Sequence, residues 1–139
     1  MAAAIVAGLG GAAVATAQKV VTFTGSTGDD VAVKLTVASF GNATAFRVGA
    51  NDVKCNKGTL SNQAFIYKPL DVSDPGAFSD KSRSSSKLGK FTFKSESKLT
   101  GTATPDGTAW SGTYKLTTRV LKKGTRIDTC KVNTTWDAV

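Results

Sequence analysis

The run WSGTYKLTTRVLKKGTRIDTCKVNTTW, Trp110 to Trp136, decides the fold class. Its first half alternates, with Tyr114, Leu116 and Val120 on one parity and Lys115, Thr117 and Arg119 on the other. A period of two belongs to a strand, whose successive side chains point to opposite faces. Lys122-Lys123-Gly124 breaks the alternation as a turn. Arg126 to Trp136 resumes it, with Cys130, Val132 and Trp136 on one face. An apolar parity and a polar parity in each segment mean a sheet with one face packed and one face wet.

The same pattern extends outward from that run. Upstream, Lys90–Ser95 sets Phe91 and Phe93 against Lys90, Thr92 and Lys94, and Lys98–Thr104 sets Leu99, Gly101 and Ala103 against threonines. Pro105-Asp106-Gly107 is turn chemistry. Near the start, Val20–Gly25 and Val31–Ser39 alternate around Gly25-Ser26-Thr27-Gly28-Asp29-Asp30 and predict a hairpin. Phe40-Gly41-Asn42 interrupts, and a looser strand follows over Thr44–Cys55, bent near Gly49-Ala50-Asn51-Asp52. Asn56-Lys57-Gly58 turns into a strand over Thr59–Tyr67. About eight short strands between turn signals predict an all-β fold, an antiparallel β-sandwich or barrel with one disulfide. Pro69–Leu88 (PLDVSDPGAFSDKSRSSSKL) shows no periodicity. We expect a loop there, pinned to the core by Phe78, and loops of that length are functional or disordered.

Residues 1–17 read as a signal peptide and 18–139 as a single domain. Ala2–Val14 is Ala, Val, Ile, Leu and Gly, and Ala15-Thr16-Ala17 supplies the small residues of a cleavage site. The run is shorter than the roughly 20 residues of a membrane span. No Lys or Arg precedes Lys19, which leaves open whether Met1 is the true start. An Ala-rich core helix is the competing reading, but Gly8, Gly10 and Gly11 would interrupt it. A secreted, extracellular chain with two cysteines is expected to pair them, Cys55 with Cys130. A closed loop of about 75 residues contributes roughly 4 kcal/mol in the chain-entropy picture. A zinc site would need carboxylates alone to complete it, since the chain has no histidine and no third cysteine.

Several of these segments resemble a family of small secreted β proteins of high-GC Gram-positive bacteria. The similar features are Phe23 and Gly25 in the first strand, Cys55 before the Gly58 turn and Ser111-Gly112-Thr113 opening a strand. Cys130 with Trp136 six residues on completes the set. The resemblance covers most of residues 20–139 and implies export, a disulfide and an all-β fold. It implies no activity.

The chemistry expected of the chain is binding rather than catalysis. Without histidine there is no Ser-His-Asp or Cys-His machinery of the usual kind. No phosphate-cradling glycine loop or dinucleotide fingerprint is present. The acids fall mostly in turns, so a carboxylate-pair hydrolase is the third reading, and no cofactor is expected. Asp71, Asp74 and Asp80 are candidate calcium ligands at a spacing that fits no loop motif, so no metal is expected either.

A formal net charge of +8 points to anionic neighbours. The outward parity carries Lys34, Lys54, Lys90, Lys94, Lys115, Arg119 and Lys131. Of these, Lys90, Lys94, Lys115 and Arg119 are the candidate ligand surface, together with Phe65 and Tyr67 if their parity faces outward. Coverage of that aromatic pair by the following loop, and lysines that merely guard exposed strands, are the plainer alternatives. We therefore expect a non-enzymatic module for anionic or carbohydrate polymers, cell-wall or extracellular polysaccharide. No nucleic acid and no membrane span after signal cleavage are expected. A secreted inhibitor or effector binding a protein through Pro69–Leu88 is the alternative.

Overall fold

The structure, a computed structural model, describes residues 20–38, 41–67, 70 and 75–139. The predicted signal peptide, and Asp71 and Asp74 of the predicted loop, lie outside the described residues. The strands are β1 (Val21–Thr27), β2 (Ala32–Val37), β3 (Ala43–Lys54), β4 (Thr59–Tyr67), β5 (Ala77–Leu88), β6 (Phe91–Ala103), β7 (Trp110–Lys122) and β8 (Thr125–Ala138). They form one antiparallel sheet in the order β4-β3-β2-β1-β8-β7-β6-β5. Two meanders, β1–β4 and β5–β8, are joined in the middle where β1 pairs β8 (Gly25 with Ala138, Thr27 with Trp136). The sheet curls into a half-barrel, so that residues of β4 and β5, its two edges, face a common cleft.

The expected loop over Pro69–Leu88 is corrected by the structure. Residues 77–88 are a strand, paired along its length with β6 from Ala77 opposite Thr102 to Leu88 opposite Phe91. The alternation escaped notice because the inward positions beyond Phe78 carry Asp80, Ser82, Ser84 and Ser86 rather than apolar groups. For the same reason the expected break between Lys90–Ser95 and Lys98–Thr104 does not exist. β6 is continuous, and its inward positions in that stretch are Ser95 and Ser97. The number of strands agrees with expectation only because one unforeseen strand offsets one false division.

The apolar parities meet inside the curl. Leu35, Phe46, Val48, Leu99, Tyr114, Leu116 and Trp136 are buried. One rung of the sheet explains how two large rings fit side by side. Phe78 lies opposite Gly101, Gly101 opposite Gly112, and Gly112 opposite Trp136. The two glycines leave the space above the middle strands empty, and the Phe78 and Trp136 rings fill it, centroids 6.1 Å apart. A Cβ on Gly101 would collide with the Phe78 ring. The Trp136 indole N–H donates to the Thr100 carbonyl at 3.0 Å, which settles the one polar atom of the ring.

Cys55 and Cys130 are disulfide-bonded, closing a sequence separation of 75. The bond crosses between the two meanders beyond the ends of the shorter β1 and β2. Beside it Asn56 N–H donates to Thr129 O at 3.0 Å, and Lys57 N–H to the Asp128 carboxylate at 3.1 Å. The β3–β4 hairpin, and with it the β4 edge, is thereby held onto β8.

Candidate functional site: a cationic face and a serine-lined cleft

The outer face of β5–β8 gathers positive charge because pairing register aligns what the sequence spreads out. Lys81 lies opposite Lys98, and Lys98 opposite Lys115. On the next outward rung Arg83 is opposite Glu96, Glu96 opposite Thr117, and Thr117 opposite Lys131. On the one after, Lys94 is opposite Arg119. Glu96 Oε1 accepts from Arg119 Nη1 at 3.2 Å, with both side chains 42% exposed. Ion pairs this open stabilise little. Among the predicted residues, Lys94, Lys115, Arg119 and Lys131 come together on this face. Lys90 sits in the β5–β6 turn at its end, and Lys34 and Lys54 lie on the other meander. Sequence reasoning missed Lys81, Arg83 and Lys87, whose spacing of two and four residues would have revealed an outward parity, and also Lys98, the middle residue of the lysine rung.

Phe65 and Tyr67 do not belong to that face. Their parity points inward: Tyr67 is buried and Phe65 half-buried against Tyr114, while Ile66 is the exposed member of the strand. Ser82 and Ser84 of β5 lie beside them, so the plainer alternative of coverage by the following segment holds in part, but their own inward parity is the main cause.

The inner face opens into a cleft of about 540 Å³ between the two edges. It is lined by Leu60, Gln63 and Phe65 of β4, Ser84, Ser86 and Leu88 of β5, Phe93 and Ser95 of β6 and Thr118 of β7. A narrower extension of about 150 Å³ reaches down past Phe65, Ser82, Ser97 and Leu116 to Tyr67. The Ser95 and Thr118 hydroxyls are hydrogen-bonded at 2.8 Å. Below them the hydroxyls of Tyr67 and Tyr114 are buried with no hydrogen-bond partner. Burial pushes the Tyr67 phenol up, with the neighbouring Ser97 hydroxyl opposing and Asp80 reinforcing that shift. Burial, together with Tyr67, pushes Tyr114 up further.

A separate cavity of about 500 Å³ lies where β3 approaches β8 and is rimmed by Asp29, Asp30, Asp52, Lys54 and Lys131. All three aspartates are exposed, and Asp52 accepts from the Asn62 N–H at 3.1 Å. No cluster of three or more metal-ligating side chains occurs among the described residues. Asp80, the one predicted calcium ligand that is described, lies on β5 opposite Leu99.

No family model, curated protein or solved structure matches the chain.

Proposed function

We propose that the chain is an exported, non-enzymatic binding module whose outer β5–β8 face holds an anionic polymer of a cell wall or extracellular matrix. Its fold in this reading is a barrel left unzipped along the β4–β5 seam, rather than a sandwich. The disulfide fits an oxidising, extracellular setting.

The observation that carries the proposal is the Lys81-Lys98-Lys115 rung. Like charges directly opposite on neighbouring strands destabilise a sheet. Guarding an edge explains such residues on β5, which has one free edge. It does not explain Lys94, Lys98, Lys115 and Arg119, because β6 and β7 are paired on both sides. A polyanion laid across the rungs would offset the repulsion that the folded chain otherwise carries. The alternative, an inhibitor or effector that contacts a protein through Pro69–Leu88, would have to use an edge strand rather than a loop over residues 77–88.

The test is retention on immobilised acidic polysaccharide and on insoluble wall preparations. Retention should weaken as salt approaches the range where the screening length falls to a few ångströms. The double variant K98E/K115E should abolish it, whereas K34E should leave most of it. Equal retention of both variants would end the proposal.

A further inference from the structure

Neutrality sets the cleft between β4 and β5 apart from the rest of this surface. The chain carries 18 lysines and arginines against 10 acids. Yet the lining of the cleft and of its lower extension contains no lysine, arginine, aspartate or glutamate. Asp80 acts on Tyr67 from beneath the cleft without entering its lining. In place of charge there are two kinds of surface. The β4 side and the top of β5–β6 offer Phe65, Leu60, Leu88 and Phe93. The floor offers hydroxyls in register: Ser82 opposite Ser97, Ser84 opposite Ser95, and Ser95 opposite Thr118.

Those hydroxyls have unused bonding capacity. A hydroxyl has one O–H to donate and two lone pairs to accept with. The Ser95–Thr118 pair uses one O–H between its members and leaves the other. The side chains of Ser84 and Ser86 make no hydrogen bond among the described residues. At the bottom Tyr67 is 4% exposed, and its hydroxyl borders the extension with only the neighbouring Ser97 hydroxyl to turn to and no bond of good geometry made. Burying a polar atom without a well-formed hydrogen bond is costly, so a phenol kept there in that state offers itself to an acceptor or donor from outside the chain.

We propose that this cleft binds a small uncharged sugar, one or two pyranose rings in size. A pyranose has an apolar C–H face and a rim of hydroxyls, which matches a wall of aromatic and aliphatic groups facing a floor of serines. The volume of about 540 Å³ lies in the range of pockets that enclose small ligands. An acyl chain would leave the serine floor unpaired, and an anionic sugar would find no cation in the lining. The cleft opens on the inner side of the sheet, opposite the lysine rungs, so this site stands independently of the polyanion face.

The experiment is an amide-resolved NMR titration of the full oxidised chain with three neutral disaccharides, cellobiose, maltose and N,N′-diacetylchitobiose, and with dodecanol as the apolar control. At least one disaccharide should shift the amides of Phe65, Ser84, Phe93 and Ser95, saturating at millimolar concentration or below. Ser84→Leu, which fills the floor from an exposed edge strand, should weaken that binding roughly tenfold or more. Tyr67→Phe, which removes one oxygen and no packing, should weaken it several-fold. K98E/K115E should leave it unchanged, which separates this site from the outer face. Silence from all three disaccharides overturns the proposal. So does binding that neither Ser84→Leu nor Tyr67→Phe weakens, or dodecanol binding in their place.

Discussion

Two rungs of the sheet, six residues apart on the same four strands, were built to opposite ends. The lower reads Phe78, Gly101, Gly112, Trp136; the upper reads Ser84, Ser95, Thr118, Cys130. In the lower rung two glycines make room for two stacked rings, and the space is filled. In the upper rung small hydroxyl residues leave the space open as a cleft, and the strand pair at its far end is fastened by a disulfide rather than by packing. The curled sheet thus changes, within a few rungs, from a packed core to a hollow that apolar burial does not hold shut. The difference teaches that the same backbone scaffold serves stability at one end and access at the other.

The sharpest way to break this comparison is to empty the lower rung. Trp136→Ala removes a fully buried ring and its bond to Thr100, and should cost about 3–5 kcal/mol in urea unfolding. A loss under about 1 kcal/mol would mean the base is no better packed than the cleft.

The second probe is the disulfide. Cys55→Ala with Cys130→Ala should cost roughly 4 kcal/mol. It should also raise hydrogen exchange along β4 more than along β7, because the bond anchors the β3–β4 hairpin. Uniform exchange would show that the β4 edge is held by something else.

A third, smaller loss is expected in alkali. Tyr67 and Tyr114 hold their protons more tightly when folded than the ordinary phenol value of 10.0. Their contribution is therefore complete below about pH 10 and is lost as pH rises toward the folded-state values. Urea midpoints should fall as pH climbs above 10, and the Y67F/Y114F variant should flatten that fall.

The smallest effect belongs to the upper rung itself. Ser84→Ala with Ser86→Ala should change stability by no more than about 0.5 kcal/mol. A loss beyond that would make the serines structural members and not the floor of an open cleft.

The same contrast decides what could be read from the chain. Where the inward parity is apolar, as at Val33, Leu35 and Val37 or at Tyr114, Leu116 and Val120, alternation was visible and the strands fell where expected. Where it is serine, alternation of hydropathy vanishes although alternation of position continues. β5 therefore reads as a loop in the sequence, and β6 reads as two strands divided at Glu96-Ser97. Both departures fall on the two strands that supply the serines of the cleft's floor. The pairing of Cys55 with Cys130 was legible from a composition with two cysteines and no histidine, together with the expectation of export. The cationic face was half legible: the outward parity of Lys94, Lys115 and Arg119 is visible in the sequence, that of Lys81 is hidden by the serines around it, and the register that brings Lys81, Lys98 and Lys115 abreast is a property of pairing, which one strand's sequence does not contain.

The joining of β1 to β8 has a kinetic consequence. Each four-strand meander closes through neighbours in the chain, but the central pairing unites Gly25 with Ala138, across both meanders. Closing so long a loop is entropically slow compared with forming hairpins. We expect the two halves to zip early and dock late. Refolding with the Cys55–Cys130 bond intact should outpace refolding of the reduced chain, because the crosslink shortens the last search.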